Sequence, residues 1–278
     1  SMLSKWRRFL PGKRAESKFP TSLPGSNRLS TIRSLDDANN FVAQLKAQSE
    51  PKDQIAKQEY YRTLVLAQTP KAVLAQIQMD KHKHGYRNRE KRLYELIDFN
   101  DSFVSYVLAT PHAQLPGLAE KLQVDMTTLC RKLDTPMFTN LQFEAIVRGL
   151  SREIAVYRGS LHRGFKARMT NRTEDAFGID MVITQPETGK TLNIDCKTPP
   201  AFRHRMEDLL KDGRITEQQL LAADEADFIT TEHRRNDERV NVTMLCIRPD
   251  TLGEIIDFTF TDTAPLALLL NKVFDSIS

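Results

Sequence analysis

The chain has 278 residues, of which 40% are apolar and 27% are charged, and its formal net charge is +4. This is the composition of a folded globular protein long enough for two domains. No apolar run approaches the ~20 residues of a membrane-spanning helix. The three cysteines lack the paired spacing of a zinc site or a disulfide framework, so we expect a reducing, cytoplasmic setting.

Residues 1–30 are predicted to form a flexible basic tail. They contain five Pro or Gly residues and few spaced apolar residues, a composition that does not favour a packed core. Basic residues precede the first acid, Glu16. The tail is therefore expected either to contact nucleic acid or simply to aid solubility.

Residues 31–138 are predicted to be helical. Apolar residues follow helical spacing from Ser34 to Met79, with Asp36 and Asp37 as candidate N-caps. Pro51 and Pro70 stand where helices can begin. Between residues 81 and 92 lie six Lys or Arg residues and one acid, a basic segment suited to a polyanion.

Residues 118–133 contain Ala119, an apolar Val124 and then Asp125 ahead of a second amphipathic run. This order resembles the helix-turn-helix of bacterial DNA-binding proteins. The resemblance implies that Thr128, Arg131 and Lys132 belong to a recognition helix. Gln123 departs from the pattern, since Gly is favoured in the turn, and a plain helical hairpin is the alternative.

A further helix is predicted over residues 140–158, where apolar residues again follow helical spacing. Glu153 falls on or beside the buried stripe of this helix. A buried carboxylate is costly unless a metal or a basic partner compensates it. Between residues 158 and 172 there are five basic residues and no acid. Four of them are predicted to guide nucleic acid: Arg158, Arg163, Lys166 and Arg168.

Two β-branched, apolar runs at residues 178–184 and 191–197 flank a turn-forming segment at residues 186–190. They predict a β-hairpin. Because side chains alternate along a strand, Asp195 and Lys197 share one face, and Cys196 points to the other. Pairing of the strands can bring Asp180 next to Asp195. Two such carboxylates repel unless a cation lies between them, and Mg²⁺ prefers oxygen ligands.

The order of a helix Glu, an Asp and then Asp-x-Lys across a hairpin resembles the PD-(D/E)XK nuclease superfamily, over roughly residues 140–250. The resemblance implies an α/β domain at residues 139–278, a restriction-endonuclease-like mixed sheet flanked by helices. It also implies that Asp180, Asp195 and the main-chain carbonyl of Cys196 bind Mg²⁺, with Glu153 as a further ligand. Lys197 would position or activate the attacking water. Ile179 departs from the pattern, which has Pro before the motif Asp.

The sequence therefore predicts an Mg²⁺-dependent endonuclease, with Mn²⁺ as a possible substitute and DNA as the expected substrate. Cutting both strands of a duplex with one site per chain requires two copies, so a homodimer is a further expectation. The alternative is a catalytically inactive DNA-binding or regulatory module, in which Asp195 and Lys197 form a surface cross-strand pair. Glu174 and Asp175, just before the second acid, are either extra metal ligands or turn residues.

Overall fold

The computed structural model describes residues 29–81, 89–171, 174–175, 177–235 and 237–277. Apart from Leu29 and Ser30, the predicted tail therefore lies outside the described residues. Residues 82–88 of the basic segment also lie outside them. The chain divides into two compact units, Ser1–Glu144 and Ala145–Ser278. The fold is mixed α/β, with most of its helical content towards the N-terminus.

The first unit is helical throughout its described part. It contains α1 (Leu35–Lys46), α2 (Gln54–Lys81), α3 (Arg89–Ala109), a 3₁₀ turn (His112–Gln114) and α4 (Leu118–Lys132). Helix α2 packs against both α1 and α3. None of the described helices in either unit is long and apolar enough to cross a membrane.

The start of α1 and the middle of α2 differ from the sequence prediction. Ser34 is the N-cap of α1, because its hydroxyl accepts a hydrogen bond from the Asp37 amide. Pro70 does not begin a helix but lies inside α2. An internal proline removes one helical hydrogen bond. Burial of the residues on either side of it, Thr63–Thr69, Ala72 and Val73, compensates for this loss.

The predicted helix-turn-helix is wrong. Residues 118–132 form one continuous helix, α4, whose buried residues recur along a single stripe. Val124, expected to plug the turn, is 65% exposed. The Thr128 hydroxyl donates to the carbonyl of Val124, as in the middle of a helix. No glycine interrupts positions 118–132, so the chain continues as a helix, and Arg131 and Lys132 end it instead of opening a recognition helix.

The second unit holds the mixed sheet. Helix α5 (Asn140–His162) leads into it, and the division between the units falls within this helix. The strands are β1 (Lys166–Met169), β2 (Met181–Thr184), β3 (Thr191–Lys197), β4 (Phe228–Arg235), β5 (Glu238–Cys246), β6 (Ile255–Ile256) and β7 (Thr259–Phe260). The helices after β3 are α6 (Pro199–Lys211), α7 (Glu217–Leu221), α8 (Pro249–Leu252) and α9 (Ala264–Ser276).

Five strands form one sheet in the order β1-β2-β3-β5-β4. Strands β1, β2 and β3 are antiparallel, β3 and β5 are parallel, and β4 is antiparallel to β5 at the sheet edge. The connection from β3 to β5 contains α6 and α7, since a parallel pair needs a long crossover. The last two strands, β6 and β7, form a separate ladder.

The two faces of this sheet are named here after the residues of β3 that point to them. The Ile194 face packs against α5 and α9 through one large apolar cluster. The Asp195 face packs against α6, with Phe202 and Met206 lying against Met244 of β5. Alternation along β3 therefore sends Asp195 and Lys197 to one side and Leu192 and Ile194 to the other, as the sequence predicts.

Two glycines of α5 provide a matched test of how this helix packs. A Cβ at Gly159 would lie 2.6 Å from Cδ2 of the buried Leu266, whereas a Cβ at Gly149 would meet nothing within 4 Å. We expect Gly149→Ala to raise the free energy of unfolding by about 0.5–1 kcal/mol through helix propensity. Gly159→Ala should lower it by about 1–3 kcal/mol through overpacking. Urea denaturation measures both, and equal effects would contradict this packing of α5 against α9.

Candidate metal centre

Asp180 and Asp195 are brought together by the pairing of β2 with β3. The Asp180 amide donates to the carbonyl of Ile194 at 2.7 Å, and because Ile194 already pairs with Met181, this bond lies one residue out of the ladder register. The Asp180 carboxylate then accepts a hydrogen bond from the Cys196 amide at 2.8 Å. This bond fixes the carboxylate beside β3, close enough to the Asp195 carboxyl group for each to shift the other's pKa.

Both carboxyl groups hold their protons more tightly than usual. Burial, followed by the charge of Asp195, raises the pKa of Asp180 well above its ordinary value. Burial also raises the pKa of Asp195, although the neighbouring Lys197 opposes this shift. Two carboxylates placed this close together cannot both be ionised cheaply without a cation. The pair is therefore a site of unbalanced negative charge.

Lys197 supplies one positive charge on the same face of β3. Its Nζ lies 3.3 Å from Oδ2 of Asp195, and its side chain is 31% exposed while that of Asp195 is 8% exposed. The Lys197 ammonium group thus contacts a buried carboxylate while the Lys197 side chain stays partly exposed to solvent. The positive charge of Arg205 on α6 also lowers the pKa of the Asp195 carboxyl group.

The main-chain carbonyl of Cys196 faces the same edge as Asp180. In a β-strand the N–H and C=O of one residue point to the same side, and the Cys196 amide points to Asp180. The next carbonyl, that of Lys197, accepts from Ile247 on the β5 side. The described pairing of β3 with β2 ends at Ile194. The Cys196 carbonyl therefore lies just beyond the end of this pairing.

Glu153 reaches this end of β3 from the opposite face. It lies on α5, which covers the Ile194 face, and its charge helps to raise the pKa of the Cys196 thiol. Burial is the largest cause of that shift, followed by Asp180 and then Glu153. The thiol is therefore neutral at physiological pH and unsuited to nucleophilic chemistry. The structure brings Asp180, Asp195 and Lys197 together and places Glu153 beside Cys196.

The acids of the loop before β2 have other partners. Glu174 accepts two hydrogen bonds from the Arg168 guanidinium at 2.8 Å, and these bonds are the largest cause of its lowered pKa. Asp175 accepts from the hydroxyl of Thr170, and its charge helps to raise the pKa of Asp180. Glu174 is thus a turn residue paired with Arg168 and is not directed at the metal centre.

The predicted phosphate-guiding cations are mostly engaged. Arg163 donates to the Thr263 hydroxyl and lies 3.6 Å from the Asp262 carboxylate. Arg168 is held by Glu174, as described above, and Arg158 is half-buried on α5. Lys166 is exposed on β1. The segment itself contains no acid, but the fold brings Asp262 from a distant segment to Arg163 and Glu174, just past this segment, to Arg168.

Sequence reasoning missed α6 and the residues it carries to the site. Helix α6 has clear start signals, because Thr198 caps it and two prolines follow. Phe202, Met206 and Leu209 form its buried stripe, a spacing that predicts an amphipathic helix. Recognising these signals would have placed Arg205 next to the hairpin. His233 of β4 has no comparable local signal.

The donor set fits Mg²⁺ in kind. Two carboxylates and one carbonyl are oxygen donors, and Mg²⁺ ordinarily uses one or two protein carboxylates and completes its shell with water. The adjacent, buried carboxyl groups with raised pKa values are the observation that supports this fit. Within the described ranges no group of three or more His, Cys, Asp and Glu side chains is arranged for a metal. The candidate site depends on two acids and the backbone.

Comparison with protein-family models, with curated proteins and with solved structures finds no match to this chain. The geometry of the second unit and the chemistry of its side chains therefore carry the functional argument.

Asp180→Asn should stabilise the protein when no metal is added. A carboxyl group whose pKa is raised by folding makes stability fall as pH rises from its unfolded value of 3.8 to its folded value. Asparagine removes this loss while still accepting a hydrogen bond from the Cys196 amide. We expect a rise in Tm of about 2–4 °C in EDTA. Glu187→Gln in the exposed hairpin turn is the control, and a fall in Tm for Asp180→Asn would contradict the repulsion.

Proposed function

We propose that the second unit is a metal-dependent nuclease that hydrolyses phosphodiester bonds, with DNA as the expected substrate. The observation that carries the proposal is the contact between Asp180 and Asp195 beside the Lys197 ammonium group. This arrangement is the one that the resemblance to PD-(D/E)XK nucleases implies for the metal-binding acids and their lysine. Mg²⁺ is the proposed cofactor, and Mn²⁺ a possible substitute.

The architecture supports the same proposal. The resemblance implies a mixed sheet flanked by helices, and the observed sheet has helices packed on both faces. The acids lie where the described pairing of β2 with β3 ends. A restriction-endonuclease-like fold is therefore the proposed classification of this unit.

Each residue has a distinct proposed role. Asp180, Asp195 and the Cys196 carbonyl would hold the metal ion, and Glu153 would act as a further oxygen donor at the same end of β3. When bound, Mg²⁺ polarises a phosphoryl oxygen and lowers the pKa of coordinated water. Lys197 orients the attacking water and balances charge near Asp195. Its distance of 3.3 Å from that carboxylate suits this positioning.

A catalytically inactive module that binds or regulates nucleic acid remains the second candidate. The direct pairing of Lys197 with Asp195 favours it, because an internal ion pair of this kind also neutralises the acid without a metal. The candidates differ in metal dependence, since only the nuclease requires a divalent cation for its activity.

Metal-dependent cleavage should be lost when either partner of the charged pair is changed. We expect Asp195→Asn and Lys197→Met each to reduce cleavage of plasmid, linear duplex or single-stranded DNA by about 100-fold or more. The assay compares Mg²⁺ and Mn²⁺ with EDTA. Glu187→Gln, in the exposed turn of the same hairpin, should cut like the unmodified protein.

Circular dichroism and nucleic-acid binding in EDTA serve as controls, because both variants should remain folded and bind. If the unmodified chain cuts none of these substrates in either metal yet binds nucleic acid, the inactive module replaces the nuclease. Cleavage that persists in EDTA would also contradict the proposed metal centre.

A further inference from the structure

A groove of 680 Å³ runs along the free edge of β4 in the second unit. It lies between this edge strand and the segment that joins α6 to α7. Arg214 and Asp212 line one wall, and residues of β4, including Thr231, line the other. The groove does not include the paired acids, so it is a separate feature of the same sheet.

Two polar groups in the groove wall lack hydrogen-bond partners among the described residues. Nη2 of Arg214 is buried and unpaired, and so is Oγ1 of Thr231. Thr231 is 8% exposed, so water has little access to it. A buried donor without a partner costs about 1–3 kcal/mol, and more when it is charged. Such groups are normally satisfied in folded proteins, which points to a bound group with acceptor oxygens.

The field in this part of the sheet is positive. His233 lies two residues along β4 from Thr231 and shares its face. Its pKa is lowered by burial and then by the charges of Arg205 and Arg214, with a smaller contribution from Lys197. Three cations therefore lie close enough to act on one ring. The neighbouring Glu232 faces Arg234 and Arg239 at 3.6 and 3.7 Å, so these two arginines balance its charge.

The register relates the groove to the metal centre. Asp195 is level with Met244 of β5, and Met244 with Ile229 of β4. Paired residues share a face of the sheet, so Thr231 lies on the Asp195 face, two strands across and two residues along. Strand spacing and rise place it roughly 12 Å from Asp195. That separation corresponds to about three nucleotides of duplex rise.

We propose that Arg214 and Thr231 form a second phosphate-binding subsite, which takes a backbone phosphate of the nucleic-acid strand whose scissile phosphate lies at Asp180 and Asp195. Arg205, whose charge acts on both Asp195 and His233, would attract the strand between the metal centre and the groove. The inference rests on the proposed nuclease function and adds to it a substrate class. The substrate is a strand that extends several nucleotides to the β4 side, not a single phosphodiester.

The test measures binding of a DNA dinucleotide and of a DNA strand of about ten nucleotides, in EDTA, with inorganic phosphate as a further probe. Arg214→Gln should weaken binding of the longer strand by about ten-fold or more, and the loss should grow with strand length. Arg203→Gln is the matched control. This arginine lies on α6 with ion pairs to Glu207 and Asp224, and its change should leave binding intact.

Thr231→Val gives a second, independent readout. It removes an unpaired hydroxyl at almost constant shape, so it should keep or raise Tm while weakening binding of the longer strand. A merely structural threonine would lower Tm instead. Thr230→Val, on the same strand, removes a hydrogen bond of 2.8 Å to Thr243 and should lower Tm. A fall in Tm for Thr230→Val, against no fall for Thr231→Val, would show that the Tm measurement can detect the loss of one hydrogen bond.

The two proposals fail in different ways. If the chain cuts DNA but Arg214→Gln and Arg203→Gln bind the longer strand equally, the subsite is overturned and the nuclease stands. If no DNA is cut but Arg214→Gln alone loses binding, the nuclease is overturned and the phosphate subsite stands. If inorganic phosphate binds as tightly as the longer strand, the proposal that the groove binds a nucleic-acid strand is overturned. An RNA strand of equal length shows whether the sugar matters.

Discussion

The second unit is organised around two carboxylates that its backbone forces together. Next to the end of the ladder between β2 and β3, the Asp180 amide donates to Ile194 and the Cys196 amide holds the Asp180 side chain against β3. The Asp180 carboxylate cannot move away from Asp195 without breaking its hydrogen bond to the main chain. Burial at this position raises the pKa of both groups. Placing the two carboxyl groups together thus costs free energy that no contact within the fold fully offsets. Local costs of this kind are characteristic of functional sites.

The two faces of the sheet divide structural and chemical work. The Ile194 face is covered by α5 and α9 and contributes most of the apolar core. The Asp195 face is covered by α6 over β5, whereas Lys166 and Arg168 of β1 are exposed. The proposed charged substrate would approach the face that carries Lys197. The core on the opposite side keeps β3 rigid, which holds the charged pair in a fixed geometry.

The hairpin, and with it the approach of Asp180 to Asp195, could be predicted because their signals are local. Alternation over residues 191–197 and turn formers at residues 186–190 determine which side chains share a face. The pairing of Asp180 with Asp195 follows from the register that these signals impose. The helix-turn-helix prediction failed because a short motif was weighed above the continuous apolar stripe of α4. Tertiary contacts, which no local pattern encodes, decided which arginines are free.

The fate of the cations shows this most clearly. Arg163 and Arg168 lie in a segment without acids, yet Asp262 and Glu174 reach them in the folded unit. Arg214 comes from a segment with acids on both sides in sequence, and its Nη2 has no partner within the described structure. The distribution of charge along the sequence therefore predicts phosphate contacts at the basic segment that includes β1. The proposed phosphate contacts lie instead on the α6 and β4 side, where an unpaired guanidinium nitrogen and an unpaired hydroxyl are buried in opposite walls of one groove.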